Sequence, residues 1–221
     1  MIMGKLQDFL TGTKVLEEVE SPINGKIAVT RSLAFGTYIS VGGLTQSGGV
    51  LKNIWKKTLK KVHSSPFIVH RCLILGLGGG TAGKLVNEFW PEAKITGVDL
   101  DPVMVELGRK YLKLDEIGID VVIGDAWDYV RVNSKSNSKR KYDLVLVDLY
   151  VGDNFPEKFE SPEFIKIAGS YLADGGIAVF NRLYYGEKRR EATRFLKTLE
   201  KVFKKVDVVY PEANIMFLCK N

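Results

Sequence analysis

Short, almost wholly apolar runs alternate along this chain with longer segments in which apolar residues recur every three or four positions. Cys72–Leu75, Ile95–Val98, Tyr142–Val147 and Ile177–Phe180 are such runs, the pattern of strands covered on both faces. Asp120–Ile123 adds a strand in the same rhythm. Ala82–Phe89, Pro102–Tyr111 and Pro162–Leu172 fall between them and read as helices. This alternation predicts a mainly parallel sheet with helices on both sides. Glu187–Phe203 predicts another helix, with Ala192, Phe195, Leu196, Leu199 and Phe203 inward. Val206–Tyr210 and Ile215–Leu218 follow, joined by Pro-Glu-Ala-Asn alone, so they must pair antiparallel.

Upstream, Val15–Glu20, Lys26–Ser32 and Thr37–Val41 cluster β-formers between Gly and Pro punctuation and predict a small β-meander. Val50–Val62 sets Val50, Leu51, Ile54, Trp55, Leu59 and Val62 near one helix face. The expected fold class is α/β: a doubly wound, Rossmann-like sheet, mostly parallel, with an antiparallel C-terminal hairpin. The expected division is a β-rich segment over 1–49 and the α/β domain over 50–221. Asn133–Lys141 is polar and basic and reads as a surface loop between the third and fourth strands of that domain.

Composition narrows the class. The chain has 221 residues, 45% hydrophobic and 26% charged, which suits a globular domain with a full core. No apolar run approaches the roughly 18 residues of a membrane helix. The first residues lack the apolar core and cleavage site of a signal peptide, so a cytoplasmic location without a membrane partner is expected. Cys72 and Cys219 lie in or beside strand-like runs and read as buried, reduced thiols; no metal site is expected. The net charge of +6 raises a nucleic-acid partner, but Lys and Arg are spread along helices as on solvated faces.

In an open parallel sheet, ligands sit beyond the carboxyl ends of the strands. The first strand ends in Gly76-Leu77-Gly78-Gly79-Gly80-Thr81, where glycines let the backbone turn tightly beside a ligand. A helix follows and leaves free amides at the turn. The second strand ends at Asp99, about twenty residues on, where an acid accepts from ribose hydroxyls. Asp101 reads either as the cap of the helix opening at Pro102 or as a ligand contact. The third strand ends in Gly124-Asp125-Ala126, where Asp125 either accepts from an exocyclic amine such as adenine's or caps a helix. The fourth ends at Asp148, with Tyr150 and Asp153 close behind. Three acids at three successive strand ends favour a nucleoside rich in hydroxyl and amine donors over a phosphate-rich ligand.

These residues resemble the class I S-adenosylmethionine-dependent methyltransferase fold and, within it, the spermidine synthase branch. Ile-Leu-Gly-Leu-Gly-Gly-Gly is similar to that branch's turn, and Gly42-Gly43-Leu44-Thr45-Gln46-Ser47 to its stretch ending in a nucleoside-contacting glutamine. The N-terminal β segment, Pro156…Phe159…Ser161…Glu163-Phe164 and Leu172…Gly175-Gly176 also match. The resemblance implies S-adenosylmethionine or its decarboxylated form as donor. Gln46, Gly76, Gly78, Gly80, Asp99, Asp101, Asp125 and Ala126 would lie around it. Asp148 would orient or deprotonate an attacking amine, assisted by Tyr150 and Asp153. It also implies a small-molecule acceptor, a polyamine in the branch itself, and a homodimer.

The sequence departs from the pattern at the acceptor end. Gly79 stands where the branch carries an acid for the aminopropyl ammonium, and Val151 where a second acid follows the catalytic one. No aromatic–His–Glu stretch occurs in Asn53–His63. Arg182 is expected to bring positive charge near the acceptor. Asp153, Glu157 and Glu160 are left to form an acidic groove with Asp148. Three other readings stay open: a methyltransferase on the same body; a non-catalytic nucleoside- or nucleic-acid-binding module, motivated by the basic loop; and a nicotinamide-binding domain, which Thr81 at the last position of G-x-G-x-x-G disfavours.

Overall fold

A computed structural model describes residues 12–64, 67–134 and 141–221. Two sheets are present. The first is antiparallel, in the order β1 (Thr13–Ser21), β2 (Gly25–Ser32), β3 (Gly36–Val41) and β4 (Leu44–Gly48). β4 runs directly into helix α1 (Gly49–His63). The second sheet contains β5 (Arg71–Leu75), β6 (Lys94–Asp99), β7 (Asp120–Ile123), β8 (Tyr142–Val147), β9 (Leu172–Leu183), β10 (Lys205–Val209) and β11 (Asn214–Lys220). Their spatial order is β10-β11-β9-β8-β5-β6-β7. The five strands from β5 to β9 pair in parallel; β11 runs antiparallel to both β9 and β10. The chain order reverses between β5 and β8, which makes the ends of these two strands the switch point.

Helices α2 (Thr81–Phe89), α3 (Pro102–Leu112), α4 (Ala126–Ser134), α5 (Pro162–Gly169) and α6 (Lys188–Leu199) connect the strands. Strand alternation sorts the apolar runs between two cores. Leu73, Leu75, Val145, Val147, Ala178 and Phe180 face α4, α5 and α6. Cys72, Ile74, Leu144, Leu146, Ile177 and Val179 face α1 and α2. Both faces are covered, which is why these strands carry no polar alternation.

The N-terminal sheet has its own core with α3, built from Ile27, Val29, Ile39 and Val41 against Met104 and Leu107. Polar ties fix it to the body. Ser21 and Asn24 donate to Asp101 at 2.5 and 2.6 Å, and the Gly79 amide donates to Ser47 Oγ at 2.7 Å.

Several elements differ from expectation. The meander has a fourth strand, β4, over the stretch that carries Gln46. Helix α4 follows Asp125, as the cap reading of that residue requires, although its sequence, AWDYVRVNS, is short and only weakly amphipathic. It also takes up the start of the expected basic loop, whose residues 135–140 lie outside the described residues. Helix α5 stops at Gly169, because Gly169 packs on Phe203 and the chain turns at Ser170 to enter β9. Strand β9 runs for 12 residues rather than four, since its pairing with β11 continues past the buried run to Leu183. Cys72 and Cys219 are free and buried, and burial pushes both thiols well up.

Candidate active site

The ends of β5, β6, β7 and β8 open onto a cavity of about 430 Å³, closed on the far side by β4, α1 and the turn between β10 and β11. This is within the usual range for a small-molecule site. Among the expected residues, Gln46, Gly76, Gly78, Asp99, Asp101, Asp125, Ala126, Asp148 and Tyr150 line it. Asp153 does not: it is exposed on the turn after the β8 loop. Gly80 does not either; it packs against Leu114, with φ 91°, and shapes the turn from behind.

At one end stand the glycine turn and Asp99. Gly76 has φ 89°, and a Cβ there would come 2.0 Å from the carbonyl oxygen of Asp148. That glycine is what lets the ends of β5 and β8 touch; the Asp148 amide donates to the Leu75 carbonyl at 2.8 Å. Asp99 accepts from the amides of Gly78 at 2.6 Å and Asp101 at 2.9 Å. Burial raises its pKa, against the pull of those amides. A carboxylate has about four acceptor sites, so these amides leave Asp99 with capacity for a further donor from the cavity. Asp101 is a different matter. It is buried and already accepts from the Val103 and Met104 amides, from Ser21 and from Asn24. Its carboxylate is used as the cap of α3 and the anchor of the N-terminal sheet, the cap reading of the two given to it.

Asp125 lines the cavity and takes the cap role of the two readings given to it. One oxygen accepts from the Trp127 amide at 2.7 Å at the start of α4; the other meets the Lys158 ammonium across the cavity rim. Gln46 Nε2 donates to the Gly152 carbonyl at 2.9 Å and straps β4 to the loop after β8.

Asp148 lies half-buried in the cavity wall. Trp55 Nε1 donates to one oxygen at 2.9 Å and Asn181 Nδ2 to the other at 2.8 Å; Asn214 Nδ2 in turn donates to Asn181 Oδ1 at 2.7 Å. Burial pushes the carboxyl up to about 6, opposed by these two donors and assisted by the nearby Asp99 charge. Such a group is ionised at neutral pH yet close to it in basicity, as suits proton transfer. Tyr150 is fixed rather than free: its hydroxyl accepts from the Leu183 amide at 2.8 Å and its ring packs edge-on against Phe155.

Trp55, Asn181, Asn214 and Lys158 were not singled out as site residues by sequence. Asn181 had one visible signal, a polar residue directly after the apolar run Ile177–Phe180. Trp55 reads from sequence as a packing residue, and its ring is indeed fully buried. Only the register of α1 shows that its N–H points at Asp148.

Strand alternation sends Asn181 to the cavity and Arg182 to the opposite face. There the guanidinium is buried between the rings of Phe155 and Phe195, at 4.2 and 4.8 Å, and pairs with Glu160 at 2.7 Å. It fastens the loop after β8 to α6, and from that face its charge acts on the cavity-lining Tyr150 hydroxyl. Removing one partner of a buried pair is costly, though Glu160 keeps some exposure. Arg182→Met is expected to lower unfolding free energy by about 2 kcal/mol, read from urea denaturation.

Gly79 likewise faces away from the cavity. A Cβ there would meet Ile39, Leu112 and Ser47, all within the packing beneath the N-terminal sheet.

Three comparisons with known proteins bear on this site. Residues 47–215 match the family model of the spermine/spermidine synthase domain. The chain is 32% identical over 110 residues to a probable polyamine aminopropyl transferase of Bifidobacterium longum, a match covering 49% of this chain and 23% of that protein. It is 30% identical over 138 residues to an eEF1A lysine and N-terminal methyltransferase homolog of Drosophila melanogaster, covering 59% and 20%. The chain thus spans only a part of these relatives. Spermidine synthase from Thermotoga maritima superposes with a TM-score of 0.74 at 19% identity, covering 93% of this chain and 72% of that one, which shows a shared fold.

Proposed function

We propose that this chain, which belongs to the spermine/spermidine synthase domain family, moves an aminopropyl group from decarboxylated S-adenosylmethionine to a small amine. The observation that carries the reading is the position of Asp148. It is an ionisable carboxylate held by two donors at the switch point, in one cavity with Asp99, Asp125 and the glycine turn. In this reading Asp99 takes the ribose hydroxyls and Asp125, with Ala126 beneath it, the adenine amine. The donor's sulfonium carbon then lies toward Asp148.

The chemistry is a displacement. The acceptor nitrogen bonds to the carbon beside sulfur, the carbon–sulfur bond breaks, and its electron pair neutralises the sulfonium to give methylthioadenosine. The nitrogen must shed a proton, and Asp148 receives it or passes it to solvent. Held in line, donor and acceptor gain on the order of 7 kcal/mol or more in favourable cases. With Asp148 near 6, kcat/KM is expected to fall about tenfold per pH unit below that value, where the carboxyl is protonated. A flat profile down to pH 5 would remove Asp148 from proton transfer.

A second reading, methyl transfer from intact S-adenosylmethionine, is favoured by Gly79. The position that carries an aminopropyl-holding acid in the spermidine synthase pattern faces packed side chains here, not the cavity. Calorimetry with S-adenosylmethionine, its decarboxylated form and methylthioadenosine separates the two. Tighter binding of the decarboxylated donor supports aminopropyl transfer, and tighter binding of the intact amino acid supports methyl transfer.

A further inference from the structure

We propose that Glu212, in the turn between β10 and β11, anchors the remote ammonium of a diamine acceptor; this rests on the aminopropyl-transfer reading above. Among the described residues the cavity is lined by the carboxylates Asp99, Asp101, Asp125, Asp148 and Glu212. The first four have assignments from their contacts. Asp101 is taken by four donors, Asp99 by the glycine turn, Asp125 by Lys158 and the Trp127 amide, and Asp148 by Trp55 and Asn181. The acids that sequence offered for an acceptor groove lie elsewhere: Asp153 and Glu157 are exposed off the cavity, and Glu160 pairs with Arg182.

Glu212 belongs to the same end of the cavity as Asp148. Asn214, two residues on, reaches Asp148 through Asn181. On the other side, α1 contributes Trp55 to Asp148 and Lys57 to Glu212. The acceptor end therefore has one carboxylate at its wall and one at its rim. Both side chains of the Lys57–Glu212 pair are largely exposed, at 58% and 42%, and such pairs contribute little. An incoming ammonium replaces Lys57 without loss of a buried interaction.

The backbone adds a second observation. Glu212 has φ 53°, a conformation that glycine takes more readily. The turn is pinned by the Asn214 amide to the Pro211 carbonyl at 3.0 Å and the Tyr184 amide to the Ala213 carbonyl at 2.7 Å. The positive φ suits the first central position of that turn, and the turn thereby holds the Glu212 carboxylate in one place at the cavity rim.

The test compares putrescine with n-butylamine as acceptors for decarboxylated S-adenosylmethionine. It uses the wild type, Glu212→Gln and Glu212→Gly, the last of which relieves the strain and protects folding. Wild-type kcat/KM is expected to favour putrescine about tenfold, the scale of one charge-assisted contact. Both variants should bring that ratio to about one, mainly through KM, and Lys57→Ala should lower the KM for putrescine. A tenfold preference that survives in both variants would overturn the Glu212 assignment and leave aminopropyl transfer standing. A wild type inert toward both amines would overturn the assignment together with the reading on which it rests.

Discussion

Asp148→Asn lowers turnover by roughly a hundred- to ten-thousand-fold, the contribution of a positioned acid–base group, while donor affinity changes by no more than a few-fold. The change is nearly isosteric. Asn181 and Asn214 can turn their amides over together to suit the new side chain, because Asn181 is bonded to both neighbours. Stability provides an independent readout with a fixed sign. The Asp148 carboxyl is pushed up to about 6 by burial, so the folded state holds its proton more tightly than the unfolded chain does. Its contribution to stability is therefore greatest below the ordinary carboxylate range and is lost as pH rises through about 6. The Asn variant carries no such loss. Its melting temperature should equal or exceed that of the wild type at pH 8, with the advantage shrinking toward pH 5. A variant with full turnover, or one markedly less stable at pH 8, would make Asp148 a structural residue only.

Gly76→Ala has the largest expected effect on folding. The new methyl would lie 2.0 Å from the Asp148 carbonyl oxygen, and φ 89° is a region that alanine rarely adopts. The three nearest atoms are all backbone, of Asp148 and Leu149, so the ends of β5 and β8 must separate. The cost is expected to be about 3 kcal/mol or more, from strain and overpacking together. Because this junction also carries Asp148, donor binding and turnover should fail with it. Urea denaturation checks the first part; an unfolding midpoint close to that of the wild type would contradict it. A substitution at Gly175, which has φ 74° with nothing within 4 Å, serves as the comparison with backbone strain but no clash.

The parallel sheet was legible because its signal is nearly pure burial. Strands covered on both faces must be continuous apolar runs, and Cys72–Leu75 and Tyr142–Val147 are that. The positions of Asp99 and Asp148 followed from the same logic, since a polar residue that ends such a run must sit at the sheet edge; Asp125 follows β7, an edge strand that is only partly buried, and was placed by its spacing alone. What stayed hidden depended on register between distant segments. Trp55 and Asp148 are 93 residues apart, and no periodicity shows that one donates to the other. Asn214 and Glu212 matter because a short antiparallel turn folds back over the cavity. The sequence predicts that hairpin but not where its turn lands. Arg182 shows another limit: it stands next to Asn181 in sequence, but alternation puts it on the other face, where it meets the cavity wall through Tyr150. Helix α4 showed only as a possible cap at Asp125, because its apolar pattern is weak and tertiary packing of Ala126 and Val130 stabilises it.

The most direct measurement is product analysis after incubation with decarboxylated S-adenosylmethionine and putrescine, followed by mass spectrometry. Aminopropyl transfer yields methylthioadenosine and an amine enlarged by one aminopropyl unit, in equal amounts. Formation of S-adenosylhomocysteine and a methylated acceptor from the intact donor, with no methylthioadenosine from the decarboxylated one, would contradict it.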